Sequence, residues 1–267
     1  VETIEIFGYI GALLIGVVLG LIGGGGSILT VPVFVYLFAV NPVTATAYSL
    51  FVVGVSALVG AFQNFKKKLV DFKIAFVFAT PAFIAVYSTR KFLVPAIPEN
   101  LFNYGDFAIS KGVGIMMFFA IIMLLASYSM LRNKREEPKE DTPITYNYPL
   151  IVVEGFVIGI LTGLVGAGGG FLIIPALVLL AKLPMKKAVA TSLLIIAIKS
   201  LIGFIGDVEN LSMDWNFLLI FTLLSVLGIF AGVWLNHFIQ GEKLKKTFGW
   251  FVLIMAIYIL LKEIIHL

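Results

Sequence analysis

The chain has 267 residues, 60% of them hydrophobic and only 13% charged, with a mean hydropathy of +1.07. A soluble domain carries about a quarter charged residues, so this composition excludes a water-soluble globule and points to a membrane protein. The net charge of +4 comes from lysines in loops beside apolar segments, which is no nucleic-acid signature, and the absence of cysteine excludes disulfides, thiolate metal sites and redox motifs.

In chain order, the predicted apolar segments are 4–22, 27–40, 43–65, 72–93 and 107–131, then 149–165, 170–183, 187–205, 215–238 and 244–265. Long apolar runs, in place of alternating ten-residue strands, predict an all-α integral membrane bundle and not a β-barrel. Residues 1–22 have no basic n-region or cleavage pattern and are read as a span, not a signal peptide.

Shifting the sequence by 143 residues aligns 16–60 with 159–203 without a gap, and sixteen of the 45 pairs are identical. Among them are Gly23/Gly166, Gly25/Gly168, Gly26/Gly169, Pro32/Pro175, Ala47/Ala190, Ser49/Ser192 and Gly60/Gly203; Asp71 still pairs with Asp214 at this offset. The chain therefore reads as two fused five-segment halves. Residues 1–131 form the first transmembrane repeat, 132–148 a cytoplasmic linker, and 149–267 the second repeat.

Loop charge gives the direction of each half, because cytoplasmic loops collect Lys and Arg. Lys66, Lys67, Lys68 and Lys73 place the loop after the third segment inside, whereas its counterpart, from Asp207 to Asp214, has no basic residue. Conversely, Asn41-Pro42 is neutral, and its counterpart carries Lys182, Lys186 and Lys187. Arg90, Lys91, Lys111 and Lys262 fall on or near the outer face of the resulting ten-segment arrangement. An odd number of segments inverts the second half, as in secondary transporters whose site lies at the midplane between inverted repeats. An eight-span scheme with re-entrant hairpins makes the halves parallel and leaves oppositely charged loops on one side.

Each half opens on a glycine run inside apolar sequence: Gly20-Leu21-Ile22-Gly23-Gly24-Gly25-Gly26-Ser27, and Gly163-Leu164-Val165-Gly166-Ala167-Gly168-Gly169-Gly170. Glycine breaks helix and permits close backbone approach. Broken backbone at membrane depth is tolerated only inside protein or along a cavity. Dividing each hairpin equally gives two arms of about 24 Å, short of the ~30 Å hydrocarbon core, so the turn is expected below the surface. The restarting helix then aims amide N–H groups and a positive dipole end into the interior, which favours an anion. The competing explanation is close helix packing, which suffices for Gly16/Gly20 and Gly159/Gly163. Neither run is followed by Gly-Lys-Ser/Thr, and neither completes G-x-G-x-x-G after a strand, so phosphate-loop and dinucleotide readings fail.

Gly-x-Gly-Gly-Gly (with Ser27 in the last place of the first copy) and a downstream proline, followed by Ala47-Tyr48-Ser49-Leu50 and Ala190-Thr191-Ser192-Leu193, occurring twice, resembles the TauE/SafE sulfite-exporter family of permeases. The resemblance covers nearly the whole chain. It implies a multi-pass protein of a prokaryotic cytoplasmic membrane that moves sulfite, thiosulfate or small organosulfonates by alternating access. The first copy has Tyr48 and Ser27 where the second has Thr191 and Gly170. A passive anion channel and a carrier of another small organic anion are the alternatives.

The candidate substrate-binding residues are Gly23, Gly24, Gly25, Gly26, Ser27, Ser49, Gly166, Gly168, Gly169, Gly170, Thr191, Ser192 and Lys199. Lys199 is the one charge well inside a predicted segment, and intramembrane ionisable groups are functional candidates; snorkelling to the outer face is the competing reading. The hydroxyls of Ser49, Thr191 and Ser192 are candidate donors to an oxyanion, against the ordinary role of bonding a helix carbonyl. Asn64 and its counterpart Asp207 are weaker candidates for ion coupling, with loop solvation as the plainer explanation. Glu154 is placed shallowly on the inner side, with His237 and His266 at segment ends. Trp215, Trp234 and Trp250 fit interfacial belts. No H-E-x-x-H motif or cysteine nucleophile is present, so no enzyme, metal or cofactor is expected. The expected partners are a small anion and the bilayer, and a homo-oligomer is compatible with the sequence.

Overall fold

A computed structural model describes residues 2–104, 107–132, 147–166, 169–179 and 181–265. The first half contains α1 (Glu2–Ile22), α2 (Gly25–Tyr36), α3 (Pro42–Lys66) and α4 (Phe72–Ser88). α4 runs on through a π-helical turn (Thr89–Leu93) into α5 (Val94–Ala96). A hairpin of β1 (Asn100–Tyr104) and β2 (Phe107–Ser110) then leads into α6 (Lys111–Arg132). The second half contains α7 (Tyr148–Val165), α8 (Gly170–Leu179), α9 (Met185–Val208), α10 (Trp215–Asn236) and α11 (Gly241–Ile265). Among the described residues, seven helices are long and apolar enough to cross a membrane.

Side chains set several helix starts. Asn41, Asp71, Asn147 and Asp214 each accept a bond from a first-turn amide, of Val43, Ile74, Leu150 and Phe217 respectively. Such caps satisfy amides that have no partner within the helix. The π turn has a local cause. Pro95 has no N–H to give to the carbonyl of Lys91, and its ring crowds that carbonyl. The turn widens, and the amide of Val94 bonds Thr89 O instead.

Three expectations are corrected. The hairpin arms are unequal: α1 has 21 residues, or about 32 Å, and α2 has 12, or about 18 Å. α8 is shorter still, at 10 residues. The apolar stretches 27–40 and 170–183 do not stay helical to their ends, because Ala39 and Lys182 adopt positive φ (52° and 56°) and turn the chain. The amides following them, of Val40 and Leu183, bond back to Phe34 O and Leu177 O. The third correction concerns 107–131: Phe107–Ser110 is a strand paired antiparallel with Asn100–Tyr104, and helix begins only at Lys111. Pairing with β1 satisfies the Phe107–Ser110 backbone, and local apolarity cannot reveal that partner.

α3 and α9 form the centre, each with 72% of its apolar window buried, against 33% for α7 and α11. α3 and α9 pack on each other, α1 packs along α10, and α4 along α7. Gly16 and Gly20 let the α1 backbone meet Ser225 O and Ile229 O of α10, while Gly159 and Gly163 of α7 meet Ala82 O and Thr89 beside α4. These four glycines are packing glycines. Trp215, Trp234 and Trp250 are exposed on the outer surface of the bundle.

Contacts repeatedly exchange partners at the 143-residue offset. Asp71 N–H donates to Thr191 Oγ1 (3.0 Å), and Asp214 N–H donates to Tyr48 Oη (2.8 Å). Gly60 abuts Leu193, and Gly203 abuts Leu50.

Candidate functional site

Gly23 and Gly24 between α1 and α2, and Gly166 and Gly169 between α7 and α8, are buried in protein. Gly23 (φ +81°) ends α1 and lies against Val189 and Ser192 at the start of α9; a Cβ there would stand 2.7 Å from Ser192 Oγ. Its counterpart Gly166 (φ +70°) caps α7 and lies against Thr46 at the start of α3. Thr46 and Val189 are themselves counterparts, so each broken helix rests on the opening turn of the other half's central helix. Only glycine tolerates both that backbone and that proximity.

The two restarting helices meet each other. A Cβ on Gly24 would overlap the carbonyl of Gly170, and one on Gly170 would overlap Gly24 Cα. Gly26 seats α2 against the α1 backbone at Ile15 O and Leu19, and Gly25 is the first residue of α2. Ser27 Oγ donates to Gly24 O at 2.6 Å within its own turn. Gly169 (φ +67°) precedes α8, and a Cβ there would overlap Thr162 Cγ2 and stand 2.5 Å from Lys199 Nζ. Gly168 lies outside the described residues.

Lys199 does not snorkel. It is 1% exposed, and its Nζ donates to Thr162 Oγ1 at 2.8 Å, on the last turn of α7. The hydroxyls divide. Ser192 Oγ donates to Val189 O, and Thr191 Oγ1 accepts from Asp71 N–H. Ser49 Oγ is buried with no partner among the described residues. Asn64 is buried and donates to Gly60 O in its own helix.

Asp207 is not solvated in a loop, as the sequence reading preferred. It is 3% exposed, and both carboxylate oxygens accept from Arg90 Nε, at 2.9 and 2.7 Å. Arg90, expected near the outer face, is fully buried; its Nη1 donates to Thr46 Oγ1 (2.9 Å) and Gly163 O (3.2 Å). Its Nη2 has no partner among the described residues. The sequence reading missed Arg90 by grouping it with Lys91, which does reach the surface and pairs with Glu209 at 3.1 Å. A signal was present: the offset counterpart of Arg90 is Val233, and that of Asp207 is Asn64.

Arg90, Lys199 and Thr46 thus meet the last turn of α7 and its left-handed exit, at Gly163 O, Thr162 and Gly166 respectively, with Asp207 paired behind Arg90. Buried Arg90 pairs with buried Asp207, and buried Lys199 is held by the neutral hydroxyl of Thr162. A buried guanidinium with an N–H group that has no acceptor among the described residues offers an oxyanion a direct, charge-assisted contact. The N-terminus of α8, one residue from Gly169, adds partial positive charge on the same side.

Comparison with known proteins agrees with a membrane assignment. The profile described as sulfite exporter TauE/SafE matches residues 9–259. A probable membrane transporter protein of Bacillus subtilis, YunE, is 32% identical over 93% of this chain and 92% of its own length. A probable membrane transporter protein of Xylella fastidiosa is 29% identical over 92% of this chain and 91% of its own. One from Methanocaldococcus jannaschii is 36% identical over 41% of the chain. No solved structure matches.

Proposed function

This chain belongs to the sulfite exporter TauE/SafE family of multi-pass prokaryotic membrane transporters, and from that premise we propose that it carries a small sulfur oxyanion by alternating access. The proposed substrates are sulfite, thiosulfate or a short organosulfonate. The halves 1–131 and 149–267, joined by a cytoplasmic 132–148, are proposed to run in opposite directions through the membrane and to rock about the contact between their glycine turns.

The observation that carries this reading is the meeting of Gly24 and Gly170 in the interior, with Lys199 Nζ beside Gly169. Two helix N-termini brought together repel each other through their dipoles, and an anion alongside them offsets that repulsion. Because the glycines touch, the anion is placed beside the pair, toward Lys199 and the α7–α8 exit. Inverted repeats with discontinuous helices at their interface are a recurrent transporter design, and the reciprocal Asp71–Thr191 and Asp214–Tyr48 bonds are consistent with it.

Purified protein in proteoliposomes tests the reading through flux of labelled sulfite, thiosulfate, sulfate and a C2 sulfonate. Saturable, gradient-driven movement of at least one sulfur oxyanion is expected. Absence of movement for all four rejects it, and unsaturable flux far above carrier rates points to a channel.

A further inference from the structure

We propose that Arg90 is a direct ligand of the transported oxyanion, and that Asp207 is the protein's own stand-in carboxylate, traded for that anion together with one proton. The proposal deepens the oxyanion reading and rests on it.

The geometry of the pair is unusual for an arginine–carboxylate contact. A guanidinium ordinarily offers two parallel N–H groups to two oxygens. Here Asp207 uses Nε alone, which it shares between both oxygens, and Thr46 and Gly163 occupy Nη1. Nη2 stays buried without an acceptor among the described residues. The Nε–Nη2 edge therefore has the right spacing for two oxygens of a sulfur oxyanion and is only half used.

Packing does not require this pair. The offset counterparts are Val233 on α10 and Asn64 on α3, two helices that also pack on each other, with an apolar side chain and a neutral amide bonded within its own helix in place of the ion pair. A buried ion pair that the fold can do without is retained against its desolvation cost, which marks it as functional. The π turn that points Arg90 inward is a feature that clusters at functional sites.

The trade balances. When an oxyanion takes Nε and Nη2, the Asp207 carboxylate loses its cation in a low-dielectric setting and takes up one proton from the aqueous side to which the site is open. One O–H bond forms on Asp207, no other covalent bond changes, and release of the anion reverses the step. The site has the same charge empty and loaded, so a monoanion moves with one proton and no net charge. Among the described residues, Lys91 bonds Glu209 and Tyr87, and Lys199 bonds Thr162. Of the ionisable groups on α3 and α4 that flank it, Tyr48 accepts from Asp214 N–H and Tyr87 accepts from Lys91.

The test uses proteoliposomes containing a pH-sensitive dye and a labelled C2 sulfonate, singly charged across the working range. Wild-type protein is expected to move one proton per sulfonate, with a rate indifferent to membrane potential. Sulfonate movement without protons overturns the proposal and leaves the oxyanion reading standing, whereas no movement of any sulfur oxyanion rejects that reading itself. Asp207→Asn cannot recharge the empty site, so net flux should fall at least about tenfold while exchange of labelled for unlabelled sulfonate stays within about threefold, with Asp207→Glu restoring net flux. Arg90→Gln should lose both net flux and exchange. Net flux at the wild-type level in Asp207→Asn, or exchange preserved in Arg90→Gln, overturns the proposal. If either variant fails to fold, the wild-type proton count decides alone.

Discussion

Gly24 and Gly170 stand backbone against backbone where the two halves meet, with no room for a methyl group on either. Gly24→Ala should therefore push the turns apart, at a cost of about 1–3 kcal/mol for overpacking, and should abolish flux. Gly11→Ala is the control, since its Cβ would meet Val33 methyls at an ordinary 3.6 Å. Replacing that helical glycine should stabilise by about 0.5–1 kcal/mol and leave flux intact. Thermal unfolding in detergent and proteoliposome flux measure both effects, and equal behaviour of the two variants would refute the contact.

Tyr48 and Thr191 hold equivalent positions and do equivalent work, each accepting the N–H of the aspartate that caps a helix of the other half. Tyr48→Phe and Thr191→Val should each cost about 0.5–1.5 kcal/mol, the net worth of one hydrogen bond, and the double variant should be additive within about 0.5 kcal/mol because the bonds are separate. Chemical or thermal unfolding of the three variants checks this. A neutral Tyr48→Phe beside a damaging Thr191→Val would show that the halves are not equivalent at this contact.

Much of the architecture was legible because it is written twice. Glycine, proline and serine in register at one offset located both broken helices, and apolar runs located the long helices to within a few residues. Helix lengths within each hairpin were not legible, since the ends of α2 and α8 are set by positive φ at Ala39 and Lys182, residues without a distinctive local preference. The β1–β2 hairpin was hidden for a related reason: strand identity there depends on pairing. The Arg90–Asp207 pair was the costliest omission. Its members lie 117 residues apart and at the ends of apolar segments, where the ordinary expectation is contact with water. A charge facing Val233 at the repeat offset was the clue, and it becomes legible only when the halves are compared for their differences.

Lys199 separates a structural from a functional role cleanly. Its amino group is desolvated and, among the described residues, bonded to one neutral hydroxyl, so it contributes little to holding the fold. Lys199→Met keeps the volume and removes the charge, and Thr162 Oγ1 retains its 3.3 Å bond to Gly159 O. Thermal stability should be unchanged or raised, while flux falls at least about tenfold. A destabilised variant with normal flux per folded molecule would assign Lys199 to structure alone.

The proposed inversion of the halves is directly measurable because the chain contains no cysteine. Lys67 and Asn210 are offset counterparts, each exposed just beyond the end of a central helix, α3 or α9. If the halves run oppositely, these two positions lie on opposite sides of the membrane, Lys67 with its lysine-rich neighbours inside and Asn210 outside. Single-cysteine variants Lys67→Cys and Asn210→Cys in intact cells, treated with an impermeant maleimide, should label at 210 and not at 67. Cell lysis should then expose 67. Labelling of both from one side would make the repeats parallel, and the glycine turns would then approach their contact from the same face of the membrane.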